Sequence, residues 1–192
     1  MKAAHLTVLL ALCALPLSSE ERAPLPDFKT CNDAGIARFE LDLKRAKSAH
    51  YQGLADPVDA AQVDVCGVNG IIQCDRGDAP LPCQHALATR QEALRMAILE
   101  SLPAANSEPT NQLYPSVLAL AHGSSAGDDC AGSTPVMEAW CEAREATRRV
   151  EMAVLAYQLA REEGAMEPAF ELGWAQEPQP VRPKARKAEA SE

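Results

Sequence analysis

Residues 134–164 read TPVMEAWCEAREATRRVEMAVLAYQLAREEG, and this stretch decides the fold. Thr134 suits the N-cap of a helix, Pro135 suits its first turn, and Gly164 suits its C-terminal stop. No glycine or proline interrupts the chain between Pro135 and Gly164. The stretch therefore predicts one long helix.

Apolar residues fall on two stripes of this helix when it is read at about 100° per residue. The first stripe comprises Val136, Trp140, Ala143, Thr147, Val150, Val154 and Tyr157, and the second comprises Met137, Cys141, Leu155 and Leu159. A helix with two apolar stripes needs neighbours on both sides, so we expect it to be central. Trp140 is predicted to lie in the core, where its replacement by alanine costs about 3 to 5 kcal/mol.

The composition favours an all-α fold. Of the 192 residues, 47% are hydrophobic, which suffices for the core of one domain. Alanine, the best helix former, occurs 35 times, whereas aromatic residues, which favour strands, make up 4% of the chain. We predict a small disulfide-stabilised bundle of three to five helices with a cysteine-rich loop or short hairpin. The net charge of −9 repels phosphate backbones, which argues against a nucleic-acid partner.

Residues 1–19 are typical of a signal peptide. Lys2 provides the positive start, residues 6–17 form an apolar run, and Ser18 and Ser19 provide small residues for cleavage. The run is too short to span a bilayer, so we expect a secreted or periplasmic protein with no transmembrane segment after cleavage. Two alternatives stay open: an uncleaved membrane-proximal anchor, and lipidation of Cys13, which follows a sequence resembling a bacterial lipoprotein box.

Six cysteines remain after cleavage: Cys31, Cys66, Cys74, Cys83, Cys130 and Cys141. An even number in an exported chain predicts three disulfides, because compartments outside the cytosol are oxidising. Zinc sites need close pairs such as C-x-x-C, whereas the closest pair here has seven intervening residues, so we expect no metal. No cofactor motif is found either.

Sequence alone leaves several disulfide pairings open. We favour a local bridge between Cys130 and Cys141, which would stabilise the fold by about 3 kcal/mol. The remaining cysteines are then predicted to pair as Cys66 with Cys74 and Cys31 with Cys83.

The chain divides into an extended lead-in at residues 20–30, a single helical domain at 31–174 and a disordered, proline-rich basic tail at 175–192. Helices are predicted over residues 33–52, capped by Asp33, over 82–102 and over 113–122, with a short helical turn through Val65. Between Cys66 and Cys83, Asn69 and Gly70 predict a hairpin turn.

Arg76, Gly77 and Asp78 stand between Cys74 and Cys83 and form a possible partner-binding loop. The triplet resembles the integrin-binding tripeptide that some secreted proteins display on disulfide-bounded loops. The structural alternative is that Gly77 makes a turn and Asp78 caps the next helix.

Residues 123–127 fit G-x-S-x-G, the nucleophile motif of the α/β-hydrolases. That motif needs a preceding strand and a later histidine, but residues 115–122 are predicted to be helical and no histidine follows His122. We therefore predict a loop without catalytic residues. An enzyme would have to pair His50, His85 or His122 with a carboxylate.

Cys130, Thr134, Cys141 and Tyr157-Gln158 resemble, in their spacing, the helical two-cysteine module of exported bacterial lysozyme-inhibitor-like proteins. The likeness covers residues 130–158. It departs from the pattern of those proteins at two positions. Val150 stands where they usually have an aspartate, and Val154 stands where they have the second residue of a Leu-Asn pair. The resemblance implies an envelope protein with a binding or inhibitory role.

The sequence thus favours a non-enzymatic binding or inhibitory module whose partner is another exported or envelope protein. One alternative is a carrier that holds a small apolar ligand between its helices, in a cavity that would be lined by Leu94, Ile98, Trp140 and Val154. A small hydrolase is the third possibility, and a close histidine–carboxylate pair facing a cleft would favour it.

Overall fold

The computed structural model describes residues 24–48, 57–105, 111–123 and 130–177, and these ranges contain six helices. They are α1 (Phe28–Ala46), α2 (Ala61–Asp75), α3 (Pro80–Ser101), α4 (Tyr114–Ala121), α5 (Pro135–Glu162) and α6 (Ala169–Leu172). The described residues include no strand, so the predicted all-α, disulfide-stabilised bundle is confirmed. The short α6 is additional to the predicted three to five helices. In the described part of the chain, no helix is long and apolar enough to cross a membrane.

Helix α5 is central, as predicted, because it contacts α2, α3 and α4. Pro135 occupies its first turn and Thr134 its N-cap, although the threonine side chain makes no capping hydrogen bond. At the other end Gly164 has a φ of 79°. The N–H groups of Gly164 and Ala165 donate to the carbonyls of Arg161 and Ala160, which is the Schellman pattern of helix termination.

Helix α2 runs antiparallel to α5. The side chain of Gln158, late in α5, donates to the carbonyl of Asp59, which precedes α2. Further along α2, Gly67 faces Thr147, which lies earlier in α5. Residues near the C-terminus of α2 therefore lie beside the N-terminal half of α5.

Helix α3 runs parallel to α5. His85 contacts Glu142, and the amide of Gln91 donates to the hydroxyl of Thr147 at 2.8 Å, so residue numbers rise together along the two helices. The C-terminus of α2 and the N-termini of α3 and α5 consequently meet at one end of the bundle. We call this the disulfide end, since the Cys74–Cys83 and Cys130–Cys141 bridges both lie there.

Tyr157 joins α1, α5 and α6. Its buried hydroxyl donates to the carboxylate of Glu40 and accepts from the N–H of Ala169 at 2.8 Å. The ring packs edge-on against Phe39 and Trp174, with centroids 6.0 Å and 4.8 Å away. Burial, reinforced by the hydrogen bond and negative charge of Glu40, raises the pKa of Tyr157 well above its usual value. This tyrosine therefore stays neutral as a structural crosslink.

The predicted apolar stripe of α5 is buried only from Ala143 onward. Val136 and Trp140 are 59% and 42% exposed, so the prediction that Trp140 is a core residue is wrong. At this end the core-facing position belongs to Ala139, and Trp140 points about 100° away from it. Small residues occupy the buried face of α5 because neighbouring helices approach it closely. The buried alanines are Ala139, Ala143, Ala146, Ala153, Ala156 and Ala160.

Helix α1 is capped six positions earlier than predicted. Asp27, not Asp33, is its N-cap: one carboxylate oxygen accepts from the N–H of Thr30 at 3.1 Å and the other from the Thr30 hydroxyl at 2.7 Å. Asp33 lies inside the helix, buried and paired with Lys29. The helix ends at Ala46, and the predicted end at residue 52 lies outside the described residues, as does His50.

Helix α2 replaces the predicted cysteine-rich loop and hairpin. Asn69 and Gly70 do not form the predicted turn, and Gly67 and Gly70 lie on the buried face of the helix. An added Cβ at Gly70 would lie 3.0 Å from Leu87 Cδ2, and one at Gly67 would overlap Thr147. The sequence pattern suggested a turn, whereas these glycines allow close approach of neighbouring helices.

The disulfides are Cys31–Cys66, Cys74–Cys83 and Cys130–Cys141. The local pair Cys130–Cys141 is confirmed and the other two predicted pairs are wrong. Cys66 and Cys74 both lie in α2, where eight residues rise about 12 Å, too far for one disulfide. The antiparallel packing of α1 on α2 brings Cys31 to Cys66, and the short α2–α3 connection brings Cys74 to Cys83. The signal peptide, Cys13 and residues 178–192 of the tail lie outside the described residues and stay predictions.

Candidate binding surface

Arg76, Gly77 and Asp78 form an exposed turn between α2 and α3 at the disulfide end. The N–H of Arg76 donates to the carbonyl of Ile72, and that of Gly77 to the carbonyl of Cys74. Asp78 does not cap α3 as expected, because the N-cap position is Ala79 and no side chain caps it. The Arg76 and Asp78 side chains make no hydrogen bond or ion pair with another described residue, so both charges face solvent.

The start of α5 presents large apolar side chains to solvent. Val136, Met137 and Trp140 are 59%, 50% and 42% exposed. Single exposed apolar residues are common, but three of them together on one short stretch of helix form a patch. The Cys130–Cys141 bridge holds the chain that leads into this helix, so the patch lies on a fixed support.

Val68 of α2 is exposed on the same side of the bundle as this patch. Arg144 of α5 pairs with Asp64 of α2 at 2.9 Å. Val68 lies one turn after Asp64 and Trp140 one turn before Arg144, and because the helices are antiparallel both steps lead towards the disulfide end. Val68, 36% exposed, therefore lies on the same side of the α2–α5 pair as Trp140. We call Val68, Val136, Met137 and Trp140 the α2–α5 surface.

His85 and Glu142 form a histidine–carboxylate pair near this surface. The Nδ1–Oε2 distance is 2.7 Å, and both side chains are about half exposed. Glu142 lines a groove of about 610 Å³ between α3 and α5, together with Glu138 and Arg149. A hydrolase could use such a pair as general base and orienting carboxylate, but it would also need a nucleophile.

The described residues that line this groove do not supply a nucleophile. Among the described residues that line the groove, the hydroxyl group belongs to Thr89, which donates to the backbone carbonyl of His85 at 2.9 Å. Cys130 also lines it, but its sulfur is in a disulfide. Neither group is poised to attack a substrate, and the His85–Glu142 pair instead links the N-terminal halves of α3 and α5.

The other sequence candidates for chemistry do not assemble. His122 is exposed at the end of α4, where Gly123 has a φ of 78°, and residues 124–127 of the G-x-S-x-G match lie outside the described residues. No group of three or more potential metal ligands occurs in the described ranges.

The predicted carrier cavity is not formed by the four residues named for it. Leu94, Ile98 and Val154 belong to the packed hydrophobic core. Trp140 lies exposed on the α2–α5 surface. No common cavity therefore joins Trp140 to the other three.

The fold and this surface define a class: a disulfide-tied helical domain with a rigid, partly apolar end. Comparison of the chain with protein-family models, with curated proteins and with solved structures found no match. The residues that carry the resemblance to lysozyme-inhibitor-like proteins are structural here. Cys130 and Cys141 are bridged, and Tyr157 and Gln158 are buried. That resemblance therefore concerns the packing of α5 and not the exposed surface.

Sequence reasoning found the Arg76-Gly77-Asp78 turn but missed the α2–α5 surface. Trp140 and Val136 share a helical stripe with true core residues, so periodicity placed them inside. The signal that could have separated them is alanine: Ala139 and Ala143 mark the face where helices approach closely. Large residues beside such an alanine face, such as Val136 and Trp140, remain exposed to solvent.

Proposed function

We propose that the protein is exported and acts as a non-enzymatic binding or inhibitory module for another exported or envelope protein. The observation that carries this proposal is the exposure of Val136, Met137 and Trp140, on an end of the bundle held by two disulfides. The partner would present an apolar groove that receives the first turns of α5.

The chemistry of the surface supports this mode of binding. Tryptophan is among the residues most enriched at the energetic centres of protein interfaces. Positions 136, 137 and 140 project from one side of α5, and this i, i+1, i+4 spacing suits a helix that docks into a groove. The charged Arg76 and Asp78 lie at the same end and would form part of a polar rim.

The disulfides support both export and binding. Three disulfides are typical of proteins that fold in an oxidising compartment. The predicted signal peptide would direct the chain to such a compartment. Two of them lie at the disulfide end, where they restrict motion of the surface before binding. A surface ordered in advance loses less entropy on association.

Affinity capture tests the proposal. The tagged, oxidised protein is used to capture partners from the exported fraction of its host, alongside the double variant Met137→Ala/Trp140→Ala. The matched control is Leu41→Ala/Leu172→Ala, which removes two other exposed apolar side chains, on α1 and α6. We expect a stoichiometric partner with the wild type and the control, and its loss with the α5 variant at an unchanged melting temperature.

Each other outcome has a definite meaning. Retention of the partner by the α5 variant would show that the α2–α5 surface is not the contact. Recovery of the wild-type protein alone would remove the binding-module proposal. A fall in the partner's own activity when the module is added would distinguish inhibition from binding alone, and Arg76→Ala/Asp78→Ala would measure the contribution of the turn.

A further inference from the structure

A second surface feature, a groove of about 600 Å³, lies between the start of α1, the middle of α3 and Trp174. Its apolar walls are Phe28, Leu94 and Trp174 with the small Ala93 and Ala97. This volume is within the range of small-molecule sites, which are mostly apolar with a few polar groups that orient the ligand. The groove contains no residue of the α2–α5 surface, so its role is independent of protein docking there.

Trp174 forms one wall of this groove. The residue is 6% exposed, and its ring packs edge-on against Tyr157. The indole N–H is buried and has no hydrogen-bond partner among the described residues.

Arg90 contributes a charge without a partner. Three charged residues line the groove: Asp27, Lys29 and Arg90. Asp27 is engaged as the cap of α1, and Lys29 is paired with Asp33 at 2.6 Å. Arg90 makes no ion pair with any other described residue. Its guanidinium is therefore the cation available to an anionic ligand, on a protein that is otherwise acidic.

We propose that the groove binds a medium-chain fatty acid. The acyl chain would lie between Phe28, Leu94 and Trp174. The carboxylate offers acceptor atoms to the Arg90 guanidinium. An apolar groove with an unpaired cation fits this ligand better than a neutral hydrocarbon, which would leave the cation without a partner.

The two tryptophans allow a site-specific test. In Trp140→Phe the remaining indole is Trp174, and 11-bromoundecanoic acid quenches tryptophan fluorescence only where its bromine comes close. We expect saturable quenching below the critical micelle concentration of the probe. Trp174→Phe, whose reporter is the exposed Trp140, should show no saturable quenching. Absence of saturable quenching in Trp140→Phe, or equal quenching in both variants, would overturn the proposal.

Two further variants test the groove and the head group. Ala93 is exposed, so Ala93→Leu in the Trp140→Phe background narrows the groove without disturbing the core, and should weaken binding by about tenfold or more. Arg90→Gln should weaken binding of the acid by about tenfold while leaving 11-bromoundecanol unchanged. Unchanged binding to Ala93→Leu, or equal effects of Arg90→Gln on acid and alcohol, would refute the site or its carboxylate recognition.

Discussion

Replacement of Gly67 by alanine tests the crossing of α2 and α5. A Cβ at this position would lie 2.9 Å from Thr147 Cβ and closer still to the Thr147 Oγ1 and Cγ2 atoms. Thr147 is fully buried and cannot easily rotate, because its hydroxyl accepts from Gln91 at 2.8 Å and donates to the Ala143 carbonyl at 2.8 Å. Either the helices separate or the Gln91–Thr147 hydrogen bond breaks.

The expected magnitude follows from opposing terms. Replacing glycine by alanine inside a helix is favourable by about 1 kcal/mol. Overpacking a close contact costs about 1 to 3 kcal/mol, and leaving the buried amide of Gln91 without its partner costs a similar amount. We expect Gly67→Ala to lower the free energy of unfolding by about 2 kcal/mol, which corresponds to a fall in Tm of about 4 to 8 °C.

Thermal unfolding of the oxidised protein, followed by circular dichroism, measures this effect. The control is Gly70→Ala in the same helix, where the new Cβ meets the terminal methyl groups of Leu87 at 3.0 and 3.2 Å. Those methyl groups can shift, so the control should change stability by less than about 1 kcal/mol. A Gly67→Ala variant as stable as the wild type, or more stable, would refute the close α2–α5 crossing.

Four further predictions address single features of the structure. Alkylation of the native protein should label no cysteine, and a non-reduced peptide map should show only Cys31–Cys66, Cys74–Cys83 and Cys130–Cys141. Trp140→Ala should change the free energy of unfolding by less than about 1 kcal/mol, since the side chain is exposed. A loss above about 3 kcal/mol would show that Trp140 is a core residue after all. Burial, with the negative charge of Asp64, raises the pKa of Glu151, so ionisation of this carboxyl costs stability. Glu151→Gln should raise Tm at pH 7, and this gain should vanish as the pH falls below 4.5, the ordinary value for glutamate. Asn32 is buried, and neither its amide nitrogen nor its amide oxygen is hydrogen-bonded among the described residues. Asn32→Leu, which is of similar shape, should therefore raise the free energy of unfolding in urea by about 1 kcal/mol. A comparable loss would reveal an essential polar contact.

The sequence by itself determined the features whose causes are local. Pro135 and Gly164 bound α5 because proline fits the first turn of a helix and glycine adopts the left-handed conformation after it. The Cys130–Cys141 bridge was predictable because its short loop closes next to that helix. The exposed Arg76-Gly77-Asp78 turn was predictable from Gly77, although the sequence placed it in a longer loop rather than between two helices.

The tertiary structure alone decided features that depend on residues distant in the chain. Asn69 and Gly70 have the sequence appearance of a hairpin turn, yet they lie inside α2. In the same helix Gly67 lets the buried Thr147 of α5 approach closely. Once α2 is a helix, Cys66 cannot reach Cys74. The exposure of Trp140 depends likewise on where the neighbouring helices pack against α5. Periodicity shows which residues share a helix face, but only packing shows how far along that face the core extends.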